Sequence, residues 1–178
     1  MPQSGRLIIL SGEIGCGKST LCLKVFNELK AMSLDVAGVV CPPIFEGRNK
    51  TGIDLLDLRS SERRQLARLN RHDADGIQTQ RWLFNEDTLR WGNSLFSSAT
   101  PCDVLIIDEL GPLEFDRGLG FTNGLTALDA GEFDFALVVI RTTLVEKARS
   151  RWPSCEVIIV NVENRDILSQ KLFEQIKK

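Results

Sequence analysis

The stretch Leu10-Ser11-Gly12-Glu13-Ile14-Gly15-Cys16-Gly17-Lys18-Ser19-Thr20 limits what this chain can fold into more than any other segment. It satisfies G-x-x-x-x-G-K-[ST] in full. It lies between an apolar run at residues 6–10 and a segment at 18–30 whose leucines and Val25 recur at helical spacing. Strand, glycine loop and helix in that order make a tight backbone turn that ends on a helix N-terminus. Phosphate oxygens need several donors converging on a small volume, and backbone amides supply them only where no Cβ intervenes. Gly12, Gly15 and Gly17 permit that approach, and the helix turns its positive dipole end to the same anion. The loop amides from Gly12 to Thr20, including those of Glu13, Ile14 and Cys16, then bind phosphate. Lys18 reaches the terminal phosphates, and the Ser19 hydroxyl can ligate Mg²⁺. The dinucleotide pattern G-x-G-x-x-G is not met, because the glycines here run G-x-x-G-x-G. The ligand expected at this loop is a nucleoside triphosphate.

The partner segment lies far downstream, in Val104-Leu105-Ile106-Ile107-Asp108-Glu109. A continuous apolar strand at 104–107 ends on two carboxylates, and ligands of open parallel sheets gather at strand C-termini. Asp108 can hold Mg²⁺ through a coordinated water, opposite Ser19. Glu109 can orient and deprotonate a water for attack on the γ-phosphorus. Read without the loop, the same two residues would be an acidic strand end facing solvent.

Further apolar runs at 36–40, 135–140 and 157–160 read as strands, and segments at 85–98, 122–130, 144–151 and 165–178 as helices. Buried strands alternating with helices indicate an α/β chain with a mainly parallel sheet covered on both faces. Pro42-Pro43 bars continuation of a central strand, and Gly47 to Gly52 has turn composition. Residues 38–84 are therefore expected to form an antiparallel hairpin insertion within a single domain spanning 1–178.

Composition narrows the surroundings. With 22 Lys and Arg against 24 Asp and Glu, the net charge of −2 does not recruit nucleic acid or an anionic membrane. The first ten residues carry only four consecutive apolar positions, too few for a secretory leader, and no membrane span is expected. The five cysteines are scattered, which argues against a zinc site or disulfide framework and for a cytoplasmic, reducing setting.

The phosphate loop, Asp108-Glu109-x-Gly111-x-x-Glu114 and the late Val160-Asn161-Val162-Glu163-Asn164-Arg165-Asp166 together resemble a family of small nucleoside-triphosphatases, the thermophile-type and cancer-related NTPases. The resemblance runs over nearly the whole chain in element order. It implies a three-layer P-loop fold and Mg²⁺-dependent hydrolysis of ATP, GTP and other triphosphates to the diphosphate. It also implies that the strand at 135–140 lies between the loop strand and the acidic strand. Arg141 would then face the γ-phosphate, there to sense it or stabilise transition-state charge; otherwise it is a surface arginine at a strand end. Ile14 departs from the proline often found at that loop position.

Other residues stay open. Arg59, Arg63, Arg64, Arg68 and Arg71 form a solvated face more readily than a lid or an RNA patch, given the acidic whole. Asn161, Glu163 and Asn164 suit helix capping, and Asn164 and Arg165 can instead flank a base. Trp82, Trp91 and Trp152 read as packing residues, His72 as a surface residue, and Glu114 has no derivable role. The competing functions are a small-molecule or nucleotide kinase and a nucleotide-switched binding module whose protein partner is unknown.

Overall fold

The computed structural model describes residues 5–177. The leader reading falls partly, and the final position of the terminal helix wholly, outside them. In chain order the elements are β1 (Arg6–Ser11), α1 (Lys18–Lys30), β2 (Val36–Val40), β3 (Pro43–Glu46), β4 (Asn49–Asp57), β5 (Arg63–Leu69), β6 (Trp82–Phe84), α2 (Glu86–Ser97), β7 (Cys102–Leu110), α3 (Pro112–Phe115), α4 (Thr122–Ala130), β8 (Phe133–Ile140), α5 (Val145–Arg151), β9 (Glu156–Ile159) and α6 (Arg165–Ile176). One sheet takes all the strands in the order β6-β5-β4-β2-β7-β8-β1-β9, with β3 branching off β4. From β2 to β9 the pairing is parallel; from β4 to β6 it is antiparallel.

The parallel strands are apolar along their length because both faces are covered. Ile8 and Leu10 of β1, Ile106 of β7, and Leu137 and Val139 of β8 pack against Leu21, Val25 and Leu29 of α1 and Leu172 of α6. The alternate residues Leu7, Ile9, Leu105, Ile107, Ala136 and Val138 meet Leu89 and Phe96 of α2 and Leu125 and Leu128 of α4 on the opposite face. Each fully buried Ile or Leu contributes roughly 1.5–3 kcal/mol. The central strands are therefore the rigid frame from which the connecting loops project. The loops after β1, β7, β8 and β9 leave from the same C-terminal edge of the sheet.

Several boundaries differ from the sequence expectation. Residues 38–40 belong to the parallel strand β2, so the antiparallel part starts at Pro43, which opens a branch strand where its missing amide costs no central ladder bond. The turn in Gly47–Gly52 is shorter than its composition suggests, because Asn49 and Lys50 already pair with Glu46 and Phe45. β7 runs past Ile107 through both carboxylates to Leu110, which pairs with Ile140 after a register shift. A 3-10 turn over Thr142–Leu144 precedes α5, and the short α3 had no helical periodicity to announce it. No helix among the described residues is long and apolar enough to cross a membrane.

Candidate active site

The glycines of the loop after β1 have left-handed or related backbone, with φ of 151° at Gly12, 80° at Gly15 and 100° at Gly17. Side chains are disfavoured at such angles, so the three positions set the curve of the loop. Gly17 caps α1, and its carbonyl accepts the first helical bond from the Leu21 amide at 2.9 Å. Lys18 is buried, and its Nζ donates to the carbonyl oxygens of Gly12 at 2.8 Å and Glu13 at 2.7 Å. The amine is thus held on the inside of its own loop. Glu13, Ile14 and Gly15 form the exposed rim, Cys16 is buried, Ser19 is half-buried and Thr20 is exposed.

β7 brings Asp108 to the loop from two strands away. Asp108 is buried, and its Oδ2 accepts from the Cys41 amide at 3.1 Å. Burial raises its carboxyl to about 6, against the lowering effect of the Ser19 hydroxyl and the Cys41 amide, while Glu109 pushes in the same direction as burial. Ser19 and Asp108 thus stand together as a hydroxyl and a carboxylate, a hard oxygen pair that suits Mg²⁺. Among the described residues no group of three His, Cys, Asp or Glu side chains gathers as a closed metal cage. A small donor set fits Mg²⁺, which keeps waters and takes substrate phosphate oxygens.

Glu109 is half-exposed, and the Asp108–Glu109 peptide is cis. Its Oε1 accepts from Arg141 Nε at 3.0 Å. β8 does lie between β1 and β7, so Arg141 leaves the sheet between the loop and the acidic pair. Both side chains remain open to water, with 40% of Arg141 and 36% of Glu109 exposed.

Two features had no role derivable from the sequence. Lys50 of β4 lies 5.2 Å from the Trp82 ring. Burial and then Arg81 lower its pKa, while Glu109 and Asp108 oppose them, which marks Lys50 as a cation of the insertion within electrostatic reach of the acidic pair. Glu114 on α3 accepts from the Gly111 amide through Oε2 and from the Phe121 amide through Oε1, each at 2.8 Å. It closes the loop that follows the acidic pair, and burial raises its carboxyl to about 7 despite those two donors.

The other candidates stand apart. Arg59 forks onto Asp35 and the carbonyls of Ser98 and Ala99; Arg63, Arg64 and Arg68 pair with Asp54, Glu62 and Asp73. Arg59, Arg63, Arg64 and Arg68 are therefore taken up in internal pairs, and Arg71 is exposed. The Asn161 Oδ1 accepts from the amides of Glu163 and Asn164, while Asn164 bonds the Asn161 amide and the Ile159 carbonyl. Trp82 and Trp152 are buried, and Trp91 packs beneath the Arg64 guanidinium at 4.1 Å. His72 is exposed at a left-handed turn position.

Comparison with known proteins gives the family and the fold. Residues 7–173 match the profile of a family described as NTPase. The chain is 32% identical over 172 residues to a protein of Methanopyrus kandleri named nucleoside-triphosphatase THEP1, covering 95% of this chain and 94% of that one. It superposes on the solution structure of a human cancer-related nucleoside triphosphatase with a TM-score of 0.73 at 23% identity, over 97% of both chains. The crystal structure of THEP1 from Aquifex aeolicus gives 0.70 at 19% identity, over 97% of this chain and 99% of that one. At these identities the two structures speak for the fold, which is the mixed α/β architecture read from the sequence.

Proposed function

The chain belongs to the NTPase family, and from that premise we propose that it hydrolyses nucleoside 5′-triphosphates, ATP and GTP among them, to the diphosphate and phosphate with Mg²⁺. The observation that carries the reading is the meeting of Ser19 on the phosphate loop with Asp108 on β7, with Glu109 and Arg141 beside them. The loop amides of Gly12 to Thr20 and the Lys18 amine bind the phosphates. Lys18 leaves the Gly12 and Glu13 carbonyls for phosphate oxygens, which are more strongly charged acceptors. Ser19 and Asp108 would hold Mg²⁺, which supplies charge neutralisation at the β- and γ-phosphate oxygens. Glu109 orients the attacking water and takes its proton. Arg141 stabilises charge on the transferring phosphoryl group.

The open position of Glu109 and Arg141 favours hydrolysis over a kinase reaction. A kinase must keep water from the γ-phosphorus, whereas these two side chains are more than a third exposed. The reading also takes the chain to act in a cytoplasmic, reducing compartment, supported by five free cysteines.

A phosphate-release panel over ATP, GTP, CTP, UTP and the deoxynucleotides, with and without Mg²⁺, tests the proposal. Glu109→Gln keeps nucleotide binding and loses turnover by roughly 10²–10⁴-fold, the range for general-base loss. Lys18→Ala loses binding. Turnover of Glu109→Gln at the wild-type rate refutes the base assignment. Labelled γ-phosphate that appears in an organic acceptor with little free phosphate would show a kinase. Very slow basal release that rises steeply with cell extract would show a switch.

A further inference from the structure

The insertion rises from the same edge of the sheet as the phosphate loop. β2 is parallel to β7, and β4 runs antiparallel to β2 with Leu56 opposite Val40, the last residue of β2. Residues 49–55 therefore extend beyond the C-terminal edge from which the loops after β1, β7 and β8 leave. The join is tied to the site, because the Cys41 amide between β2 and β3 donates to Asp108 Oδ2 at 3.1 Å. The register of β4 shifts against β3 between Ile44 and Phe45, and against β5 between Ile53 and Asp54. Shifts of this kind bend a strand and increase its twist.

Near the start of β4, Lys50 is half-buried, with its Nζ 5.2 Å from the centre of the Trp82 ring. The Arg81 guanidinium lies 5.0 Å from the centre of the same ring. Trp82 is buried, and its amide donates to Thr79 Oγ1 at 3.1 Å, so the indole is a fixed seat for both. Two like charges on one seat repel each other. Among the described residues no carboxylate pairs with either, whereas Arg63, Arg64 and Arg68 of the same insertion each have one. The charges of Glu109 and Asp108 act on the Lys50 amine, yet Glu109 is bonded to Arg141 and Asp108 to the Cys41 amide. An ammonium held near two carboxylates and bonded to neither is a group that a bound anion satisfies.

Resting on the nucleotide reading above, we propose that Lys50 is a further catalytic residue: its ammonium, seated on Trp82, donates to an oxygen of the γ-phosphate from the insertion side. There it stabilises the charge that develops as water attacks phosphorus and the bond to the β-phosphate oxygen breaks. Lys18 meets the phosphates from inside the loop and Arg141 comes from β8, so Lys50 supplies the cation of the remaining wall. A lysine suits the place, since its compact charge and rotatable donors reach an oxygen without the fixed fork of an arginine. No internal ion pair has to break for it to do so. ADP has no γ-phosphate, so the contact distinguishes the substrate from the product.

Phosphate release at saturating Mg²⁺ and ATP, with calorimetric titration of ADP and Mg²⁺, tests this on wild type, Lys50→Met and Lys50→Arg. Lys50→Met keeps an aliphatic stem on Trp82 and removes the charge. It lowers kcat by about tenfold to a hundredfold, the range for one hydrogen bond to a charged group, and leaves ADP affinity unchanged. Lys50→Arg keeps the charge and restores most of the rate. Lys50→Gln gives the same loss as methionine if that variant does not fold. A wild-type kcat without the charge, an ADP affinity that falls along with kcat, or an arginine variant no faster than the methionine one each overturns the proposal, while the nucleotide reading stands. A wild type that neither binds ADP nor releases phosphate from ATP sinks the nucleotide reading and this proposal with it.

Discussion

Replacing Glu114 by glutamine should change how stability depends on pH, and the size of the change follows from its surroundings. The carboxyl is 8% exposed and receives two backbone amides at 2.8 Å. Those donors favour the ionised form, and burial opposes it. Burial wins, lifting the group from 4.5 to about 7, with the charge of Glu109 adding to the rise. The folded state is therefore harder to ionise at this position than the unfolded chain. The stability linked to the neutral form is fully present below about pH 4.5, and it is lost as pH rises through about 7. At about 1.36 kcal/mol per unit, the wild type gives up about 3 kcal/mol across that interval.

A glutamine side chain cannot ionise. Its carboxamide keeps one acceptor and turns an NH₂ toward the other amide, an offset of about 1–3 kcal/mol that does not vary with pH. Urea unfolding of wild type and Glu114→Gln at several values between about pH 4.5 and 8 isolates the effect, because groups remote from Glu114 titrate alike in the two and cancel. The wild-type curve should fall toward that of the variant as pH rises. Parallel curves would refute the reasoning: the two amides would then outweigh burial, and Glu114 would be an ordinary ionised cap.

Two further substitutions test the frame and the site. Gly38 has φ of 100°, and a Cβ there would stand 2.0 Å from the Ile106 carbonyl oxygen in the β2–β7 pair; Gly38→Ala should cost about 3 kcal/mol of strain. At about 2–4 °C per kcal/mol that is a fall of roughly 6–12 °C in Tm by calorimetry, and an unchanged Tm would show that β2 can shift freely. Arg141→Ala should lower kcat about 10³-fold or more with Tm little altered, whereas an unchanged kcat would leave Arg141 as a strand-end partner of Glu109.

What was legible in the sequence was local. The limits of α1, β2 and α4 follow from periodicity and from the glycines beside them, and the loop follows from a contiguous pattern in which every spacing carries meaning. β7 was cut short at Ile107 because two charged residues hide a strand whose last residue, Leu110, is again buried. The clamp made by Glu114 depends on an amide at Phe121, across a loop with no period. The place of Lys50 depends on how β4 pairs with β3, β5 and β2, which no local pattern states. The position of Arg141 came only through resemblance, since nothing in the chain states that β8 is inserted between β1 and β7.

That insertion also explains how the site keeps opposite charges apart. Neighbouring strands lie about 4.8 Å apart, so two intervals separate β1 from β7 by about 10 Å. Lys18 follows the loop that leaves one of these strands, and Asp108 lies near the end of the other. Were the strands adjacent, the amine and the carboxylate would pair and fill the space between them. With β8 between them, Lys18 turns to the Gly12 and Glu13 carbonyls, Asp108 takes the Cys41 amide, and no ion pair joins the two. Ser19 stands at the Asp108 side of that gap, and Arg141 pairs with Glu109 beside it. A gap of that width, positive on one wall and negative on the other, suits a phosphoryl group with a bound cation better than any internal pairing the protein can make.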